Sequence, residues 1–217
     1  MGLAIFDLDN TLLGGDSDTL WGEFLSDHGY VDGPAHRAKH QRYYEDYLAG
    51  RLDIYEFLRF QLHVLTQHDM DTLLGWREQY LREKIRPILL SKARERLRFH
   101  QAQGHTLLII TATNRFITEP IARLYGVEHL IATEPEIIDG RYSGEVAGTP
   151  SFAEGKVIRM EKWLEQHGLD FKESWFYSDS HNDLPLLNEV THPVAVDPDK
   201  VLAAEARRKN WPIISWR

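Results

Sequence analysis

The chain contains no cysteine among its 217 residues. This absence excludes disulfide bonds, thiolate metal sites and a cysteine nucleophile, and it fits a reducing compartment. No apolar run approaches the roughly 18 residues that a membrane span needs, so we expect no membrane partner. Residues 1–6 have no basic region and Asp7 follows them at once, so we expect no signal peptide and a cytoplasmic protein.

Basic residues are also scarce in this chain. Lys and Arg number 25 against 33 Asp and Glu, which gives a formal net charge of −8. We therefore expect no nucleic-acid partner, because such proteins carry a basic surface that matches the phosphate backbone. If the ligand is an anion, its positive surroundings must be local, from a metal ion, a lysine or backbone N–H groups.

Short apolar runs alternate with helical patterns along most of the chain. The runs with the composition of buried parallel strands are 3–6, 106–110, 175–177, 194–196 and, as a fifth candidate, 211–214. The helical patterns that end at a glycine are 91–103, 115–125 and 153–167. This alternation predicts an α/β fold with a doubly wound, Rossmann-like parallel sheet. Asp139-Gly140, within 136–146, predicts the turn of a β-hairpin.

The segment 16–87 departs from the alternation, since it has helical patterns and no convincing strand. Leu58 and Leu62, for example, are spaced as neighbours on one helix face. The segment lies between the first and second predicted strands. We therefore predict an inserted helical domain at 16–87, placed over the sheet edge, and a core domain built from 1–15 and 88–217.

Three of the predicted strands end in polar clusters. These are Asp7-Leu8-Asp9-Asn10-Thr11, Thr111-Ala112-Thr113-Asn114 and Ser178-Asp179-Ser180-His181-Asn182-Asp183. Ligands of open α/β sheets bind outside the carboxyl ends of the strands, so the three clusters should share one site. Their carboxylates would repel one another unless a cation neutralised them. Hard oxygen ligands favour Mg²⁺ as that cation.

These clusters resemble the motifs of a known family. Asp7-Leu8-Asp9-Asn10-Thr11 resembles the DxDxT motif of the haloacid dehalogenase (HAD) superfamily, Ile109-Ile110-Thr111 its second motif, and Ser178-Asp179 through Asp183 its fourth. The DxxxD spacing from Asp179 to Asp183 and the helical insertion are similar to the phosphoserine-phosphatase-like branch, which has a type 1 cap. The resemblance spans essentially the whole chain. It implies a Mg²⁺-dependent phosphatase that hydrolyses a small phosphate monoester through an aspartyl-phosphate.

The resemblance also implies catalytic roles. Asp7 would be the nucleophile, and Asp9 would protonate the leaving alcohol and then activate water. Lys156 would be the lysine of the third motif, which offsets the charge on phosphate and nucleophile. Related sequences often carry that lysine just before the glycine, where this chain has Glu154.

The same resemblance implies the ligands of metal and phosphate. The side chains of Asp7 and Asp179 and the backbone carbonyl of Asp9 would hold the metal, and Asp183 would hold a metal-bound water. The candidate phosphate and substrate ligands in the second and fourth motifs are Thr111, Ala112, Thr113, Asn114 and Asn182.

Ordinary local structure offers a second interpretation of several of these residues. Asp7 and Asp9 would then belong to a strand-end turn that caps a helix, and Thr111 would be a helix N-cap. Lys156 would be an exposed lysine in a first helical turn. The interpretations of Thr111 are compatible with each other.

The cap of such enzymes normally selects the leaving group. Asp16 lies near the position of the acid that binds the serine ammonium in phosphoserine phosphatases. Gln61 stands where those enzymes have an arginine for the serine carboxylate, with Arg59 two residues away. A neutral amide does not form a charge-assisted clamp on a carboxylate. We therefore expect a phosphate ester that carries an amine or polyol and no carboxylate, such as histidinol phosphate.

Two other functions remain open from the sequence. The motifs do not separate a phosphatase from a phosphotransferase that passes the phosphoryl group to an alcohol. A non-catalytic, receiver-like module that accepts phosphate on Asp7 is the third alternative, and both Asp9 and the helical insertion argue against it. We expect a monomer or homodimer with a small phosphate ester as its ligand.

Overall fold

The computed structural model describes residues 2–217, so Met1, the first residue of the predicted core segment, lies outside the described residues. The strands in chain order are β1 (Leu3–Phe6), β2 (Thr106–Asn114), β3 (His129–Thr133), β4 (Pro135–Ile138), β5 (Arg141–Val146), β6 (Ser174–Ser178), β7 (His192–Val196) and β8 (Ile213–Ile214). Six of them form one parallel sheet in the order β3-β2-β1-β6-β7-β8, while β4 and β5 form an antiparallel hairpin. The predicted α/β fold is confirmed.

The helices in chain order are α1 (Ser17–Asp27), α2 (Gly33–Leu48), α3 (Ile54–Thr66), α4 (Met70–Tyr80), α5 (Ser91–Ala102), α6 (Arg115–Tyr125), α7 (Glu154–His167), α8 (Leu184–Leu187) and α9 (Lys200–Lys209). The first four begin directly after an aspartate whose carboxylate accepts backbone N–H groups of the first turn: Asp16, Asp32, Asp53 and Asp69. Such N-caps satisfy amides that lack an intrahelical partner, so these aspartates determine where each helix starts. No helix of residues 2–217 is long and apolar enough to span a bilayer.

Strand β1 lies at the centre of the sheet and is buried on both faces. Ala4 and Phe6 pack with α5 and α6, whereas Leu3 and Ile5 pack with α7, α8 and α9. Phe6 lies level with Ile109 of β2 and with Tyr177 of β6. After β1 the chain adds β2 and β3 on one side of that strand, and later adds β6, β7 and β8 on its other side. The carboxyl end of β1 is therefore the point at which the strand order reverses, where such sheets bind ligands.

The structure corrects four details of the sequence analysis. Strand β3 was not predicted, because only its second half is buried and the apolar run is correspondingly short. Strand β2 continues to Asn114, so its polar cluster lies on the strand itself. The predicted strand 211–214 is shortened to β8, and α7 begins at Glu154 because Ala153 has a φ of 47°.

The helices α1 to α4 lie within the predicted insertion, 16–87. The two connections that lead into and out of it run side by side, with Leu13 bridged to Leu89 and the Gly14 N–H donating to the Ile88 carbonyl at 2.8 Å. Trp21 of α1 belongs to the same apolar cluster as Phe6. Helix α3 packs against β5 of the hairpin. The helices are thereby held over the carboxyl edge of the sheet.

Candidate active site

The chain turns sharply after β1 and points two carboxylates into the same space. The Asp7 N–H donates to the Tyr177 carbonyl at 2.9 Å, which continues the pairing with β6 for one residue. Asn10 then adopts a positive φ of 58°, a conformation that asparagine tolerates better than most residues. Its N–H donates to the Gly15 carbonyl at 2.9 Å. This loop places Asp7 and Asp9 at the carboxyl edge of the sheet.

A buried lysine joins the first and fourth motifs. Lys156 Nζ donates to Asp7 Oδ1 at 2.8 Å and lies 2.7 Å from Asp183 Oδ1, with only 4% of its side chain exposed. Ser178 Oγ donates to Asp183 Oδ2 at 2.6 Å. Burial alone lowers the pKa of Lys156, but the charges of Asp183 and Asp7 outweigh burial and raise it. Lys156 is therefore not an exposed first-turn lysine.

One lysine does not neutralise this cluster. Burial raises the pKa of Asp7 to about 7, and the Asp183 and Asp9 charges add to the effect while Lys156 opposes it. Burial also raises the pKa of Asp179 well above its usual value, with the Asp7 and Asp183 charges adding to it. The site thus holds excess negative charge, which a bound cation would offset.

Asp9 is held by hydrogen bonds to both of its carboxylate oxygens. Oδ1 accepts the Ser17 N–H at 2.6 Å, and Oδ2 accepts the hydroxyls of Thr113 at 2.8 Å and Thr111 at 3.3 Å. The pKa of Asp9 is raised to about 6, chiefly by burial and also by the Asp16 charge, while the hydrogen bonds from Ser17 and Thr113 oppose the shift. A carboxyl with this pKa can both give and take a proton near neutral pH.

The donor set suits a magnesium ion that keeps some of its waters. No three His, Asp or Glu side chains within residues 2–217 are gathered as a ready-made metal site. The predicted ligand set needs only two carboxylates, those of Asp7 and Asp179, together with one backbone carbonyl. Mg²⁺ usually takes its remaining ligands from water and a substrate phosphate. The Asp183 carboxylate already contacts Lys156 and Ser178. These contacts fit the predicted role of Asp183, which is to hold a metal-bound water and not to bind the metal directly.

The remaining predicted ligands all face one cavity: Thr111, Ala112, Thr113, Asn114 and Asn182. Asn114 also caps α6, because its Oδ1 accepts the Ile117 N–H at 3.3 Å. Thr111 is directed towards Asp9, so its hydroxyl positions the carboxylate as well as facing the cavity. Asn182 Nδ2 donates to Ser180 Oγ at 3.4 Å.

This cavity, of about 300 Å³, lies between the acidic cluster and the helical insertion. We refer to its half beside the insertion as the leaving-group chamber, lined by Asp16, Asp18, Thr19, His40, Tyr43, Tyr44, Tyr47, Leu48, Leu52, Ile54, Phe57 and Leu58. The Tyr47 hydroxyl lies 2.6 Å from Ser180 Oγ and so links the insertion to the fourth motif. A separate groove of about 390 Å³ beside Trp175 contains no acidic side chain.

Several residues of this region were missed by the sequence analysis. Thr11 Oγ1 donates to Asp179 Oδ1 at 3.1 Å, and Ser178 fixes Asp183. Thr11 and Ser178 both belong to the predicted motifs, but the sequence did not indicate what their side chains contact. Asp18 gave no signal, because helical spacing does not reveal which residues of an insertion will face the core.

Gly155, the residue before Lys156, has no room for a side chain. A Cβ on Gly155 would lie 2.1 Å from the Pro150 carbonyl oxygen. We expect Gly155→Ala to displace the start of α7, to lower the free energy of unfolding by about 1–3 kcal/mol, and to reduce kcat/KM because Lys156 follows directly. Urea unfolding and steady-state kinetics measure the two effects.

Gly75 provides the matched control for that substitution. It lies within α4, and a Cβ there would meet no atom within 4 Å. Gly75→Ala should raise stability by about 0.5–1 kcal/mol, since alanine loses less entropy in a helix. If Gly155→Ala behaves like Gly75→Ala in stability and activity, the contact with Pro150 has no importance for the site.

Known proteins resemble this chain in sequence and in structure. The family model of haloacid dehalogenase-like hydrolases matches residues 4–188. A protein of Neisseria meningitidis serogroup C (strain 8013) named histidinol-phosphatase is 42% identical over 219 residues, which cover 99% of each chain. The structure of a protein of unknown function from Bordetella pertussis Tohama I aligns with a TM-score of 0.94 at 45% identity, covering 99% of this chain and 98% of that one.

A more distant structure shares the fold. It is a phospho-aspartyl intermediate analogue of phosphoserine phosphatase, which aligns with a TM-score of 0.72 at 15% identity and covers 100% of this chain and 93% of that one. The chain belongs to the family of haloacid dehalogenase-like hydrolases. It is a phosphatase of the phosphoserine-phosphatase-like type, as the sequence predicted, and phosphatases of this family generally use Mg²⁺.

Proposed function

We propose that this phosphatase hydrolyses a small phosphate monoester whose leaving alcohol carries positive charge and no carboxylate, with histidinol phosphate as the substrate. The leaving-group chamber carries this proposal. It contains two carboxylates, Asp16 and Asp18, and no lysine or arginine among its described residues. The cations elsewhere in the cavity are Lys156, which is paired with Asp7, and Arg217, which lies near Asn10.

The chamber is poorly suited to phosphoserine. The side chain of Gln61 is neutral, and its Nε2 donates to Asp18 Oδ2. Arg59 does not line the cavity and lies 3.8 Å from Glu145 of the hairpin. Within the leaving-group chamber, a substrate carboxylate would therefore meet carboxylates and no guanidinium. The 42% identical relative is named histidinol-phosphatase, which supports a leaving group that lacks a carboxylate.

The chemistry would begin at the Asp7 carboxylate. One of its oxygens forms a bond to phosphorus while the bond from phosphorus to the leaving alcohol breaks, which gives an aspartyl-phosphate. Lys156, buried against Asp7, offsets negative charge as the phosphoryl group approaches. Thr111 and Thr113 keep the Asp9 carboxyl in place beside this reaction.

Asp9 would serve first as an acid and then as a base. Its protonated form donates the proton to the alcohol oxygen as that oxygen leaves. The resulting carboxylate then takes a proton from a water whose oxygen bonds to phosphorus. The bond between phosphorus and Asp7 breaks, phosphate departs, and both carboxyl groups return to their starting states. A pKa of about 6 suits both proton transfers.

The side chains of Asp7 and Asp179 and the carbonyl of Asp9 would hold the Mg²⁺. When bound, the ion supplies Lewis-acid stabilisation of the charge on the phosphoryl oxygens. Burial and, after it, the charges of neighbouring carboxylates raise the pKa values of Asp7 and Asp179, and a bound cation would oppose both effects.

A panel of phosphate monoesters tests the proposal. Histidinol phosphate, phosphoserine, glycerol phosphate and phenyl phosphate are compared by kcat/KM with Mg²⁺ and with EDTA. We expect histidinol phosphate to exceed phosphoserine by at least about tenfold, which corresponds to 1.4 kcal/mol. Chelation should abolish turnover of every ester. A preference for phosphoserine, or full activity in EDTA, would contradict the proposal.

A further inference from the structure

Asp18 is a buried carboxylate that the catalytic mechanism does not use. It lies in the first turn of α1 and is only 6% exposed. Its Oδ2 accepts the amide of Gln61, whereas its Oδ1 is buried and has no hydrogen-bond partner within residues 2–217. Asp18 also lines the leaving-group chamber. Buried polar atoms are nearly always hydrogen-bonded, so this oxygen needs an explanation.

An acidic residue near a helix start has an ordinary explanation, because it interacts favourably with the helix dipole. That explanation accounts for the residue type at this position. It does not account for the burial of Oδ1, since exposed acids have the same interaction. Asp71 is such a case, as it takes the same position in α4 and is exposed.

The surroundings of Asp18 increase the need for a partner. Burial raises its pKa well above the usual value, and the charges of Asp16 and Asp9 raise it further. No lysine or arginine of the described chain lies within ion-pair distance of Asp18. A ligand N–H group that reached Oδ1 would supply both the missing hydrogen bond and the missing positive charge.

Gln61 determines the direction of this carboxylate. Gln61 is 3% exposed and its amide donates to Asp18 Oδ2, so the other carboxylate oxygen, Oδ1, has no partner among the described residues. An arginine at position 61 would bring a positive charge to the same carboxylate. The neutral amide positions Asp18 without neutralising it.

Other residues that line the chamber are suited to the same kind of ligand. His40 Nε2 is also buried without a partner among the described residues, and burial lowers the pKa of His40 and so favours its neutral form. The aromatic rings of Tyr43 and Phe57 line the chamber as well. Aromatic faces attract cations and stack on flat heterocycles.

We infer that Asp18, positioned by Gln61, determines substrate specificity by binding a cationic N–H group of the leaving alcohol, an ammonium or an imidazolium, through Oδ1. The inference rests on the proposed function and names a residue that recognises the substrate. Asp18 would act mainly on binding, because the proposed mechanism gives it neither a bond to phosphorus nor a proton transfer.

The test compares Asp18→Asn with the wild-type enzyme on histidinol phosphate and on phenyl phosphate, which carries no cation. For each enzyme, kcat/KM for histidinol phosphate is divided by kcat/KM for phenyl phosphate. In Asp18→Asn this ratio should be about 10- to 100-fold lower than in the wild-type enzyme, as expected for the loss of a charge-assisted hydrogen bond. The loss should appear mainly as a higher KM for histidinol phosphate, with a much smaller change in kcat. A general structural defect would affect both substrates alike and leave the ratio unchanged.

Two further variants complete the experiment. Asp71→Asn removes the same charge from the same helical position and should leave the ratio at its wild-type value. Gln61→Arg brings a positive charge to Asp18 from the protein itself, and it should lower the ratio in the same direction as Asp18→Asn.

The outcomes separate the inference from the function on which it rests. If the wild-type enzyme prefers histidinol phosphate and Asp18→Asn keeps the ratio within threefold, the role of Asp18 is wrong and the proposed function stands. If the wild-type enzyme hydrolyses histidinol phosphate no better than phenyl phosphate, the proposed function fails and the inference fails with it.

Discussion

Asp7→Asn is expected to reduce kcat at least about 1,000-fold for every phosphate ester that the wild-type enzyme hydrolyses. The reason is chemical, since a neutral amide oxygen is a much weaker nucleophile towards phosphorus than a carboxylate and does not form the acyl phosphate. The variant should stay folded, because Lys156 keeps its ion pair with Asp183. Steady-state kinetics with Mg²⁺ and a thermal melt of the same sample measure both properties.

Asp69→Asn serves as the control for the loss of one carboxylate. Asp69 caps α4 and is exposed, and asparagine is an equally good N-cap. Its kcat should equal that of the wild-type enzyme. Retention of most of the activity by Asp7→Asn would show that Asp7 is not the nucleophile and would exclude the aspartyl-phosphate on this residue.

Lys156→Met should produce the second large effect, this time on both stability and activity. Methionine fills a similar volume but leaves Asp7 and Asp183 buried without their cation. Removing one partner from a buried ion pair typically costs about 3 kcal/mol or more. For a chain of this size that cost lowers Tm by about 6–12 °C. The melt should be recorded in EDTA, so that a bound metal does not replace the lost charge.

Lys172→Met is the matched control for that variant. Lys172 also forms an ion pair, with Asp170 at 2.8 Å, but both side chains are largely exposed. Exposed pairs contribute little to stability, so its Tm should stay close to the wild-type value. If Lys156→Met shows the same small change and keeps its kcat/KM, Lys156 neither stabilises the acidic cluster nor assists catalysis.

The fold was largely predictable because each of its signals is local. The apolar run at 3–6 has the composition of a strand buried on both faces, and the structure has β1 there. The glycines after α6 and α7 adopt the left-handed conformation that ends a helix. Strand β3 was missed because its apolar run is short and its first two residues are only partly buried.

The candidate site was predictable to the extent that its residues stand at strand ends. Asp7 and Asp179 follow neighbouring parallel strands, and parallel strands place their carboxyl ends at one edge of the sheet. The position of Lys156 depended on a single residue of a motif, and only its contacts with Asp7 and Asp183 show that it lies in the cluster.

By itself, the sequence determined the α/β class, the helical insertion and the acidic strand ends, because strand burial, helix caps and motif spacing are properties of neighbouring residues. Only the tertiary structure decided what faces the substrate. Asp18 and Gln61 are 43 positions apart in the chain, and Tyr47 and Ser180 are 133 apart. Such pairs meet because the insertion packs onto the sheet edge, and that packing depends on apolar contacts between distant segments.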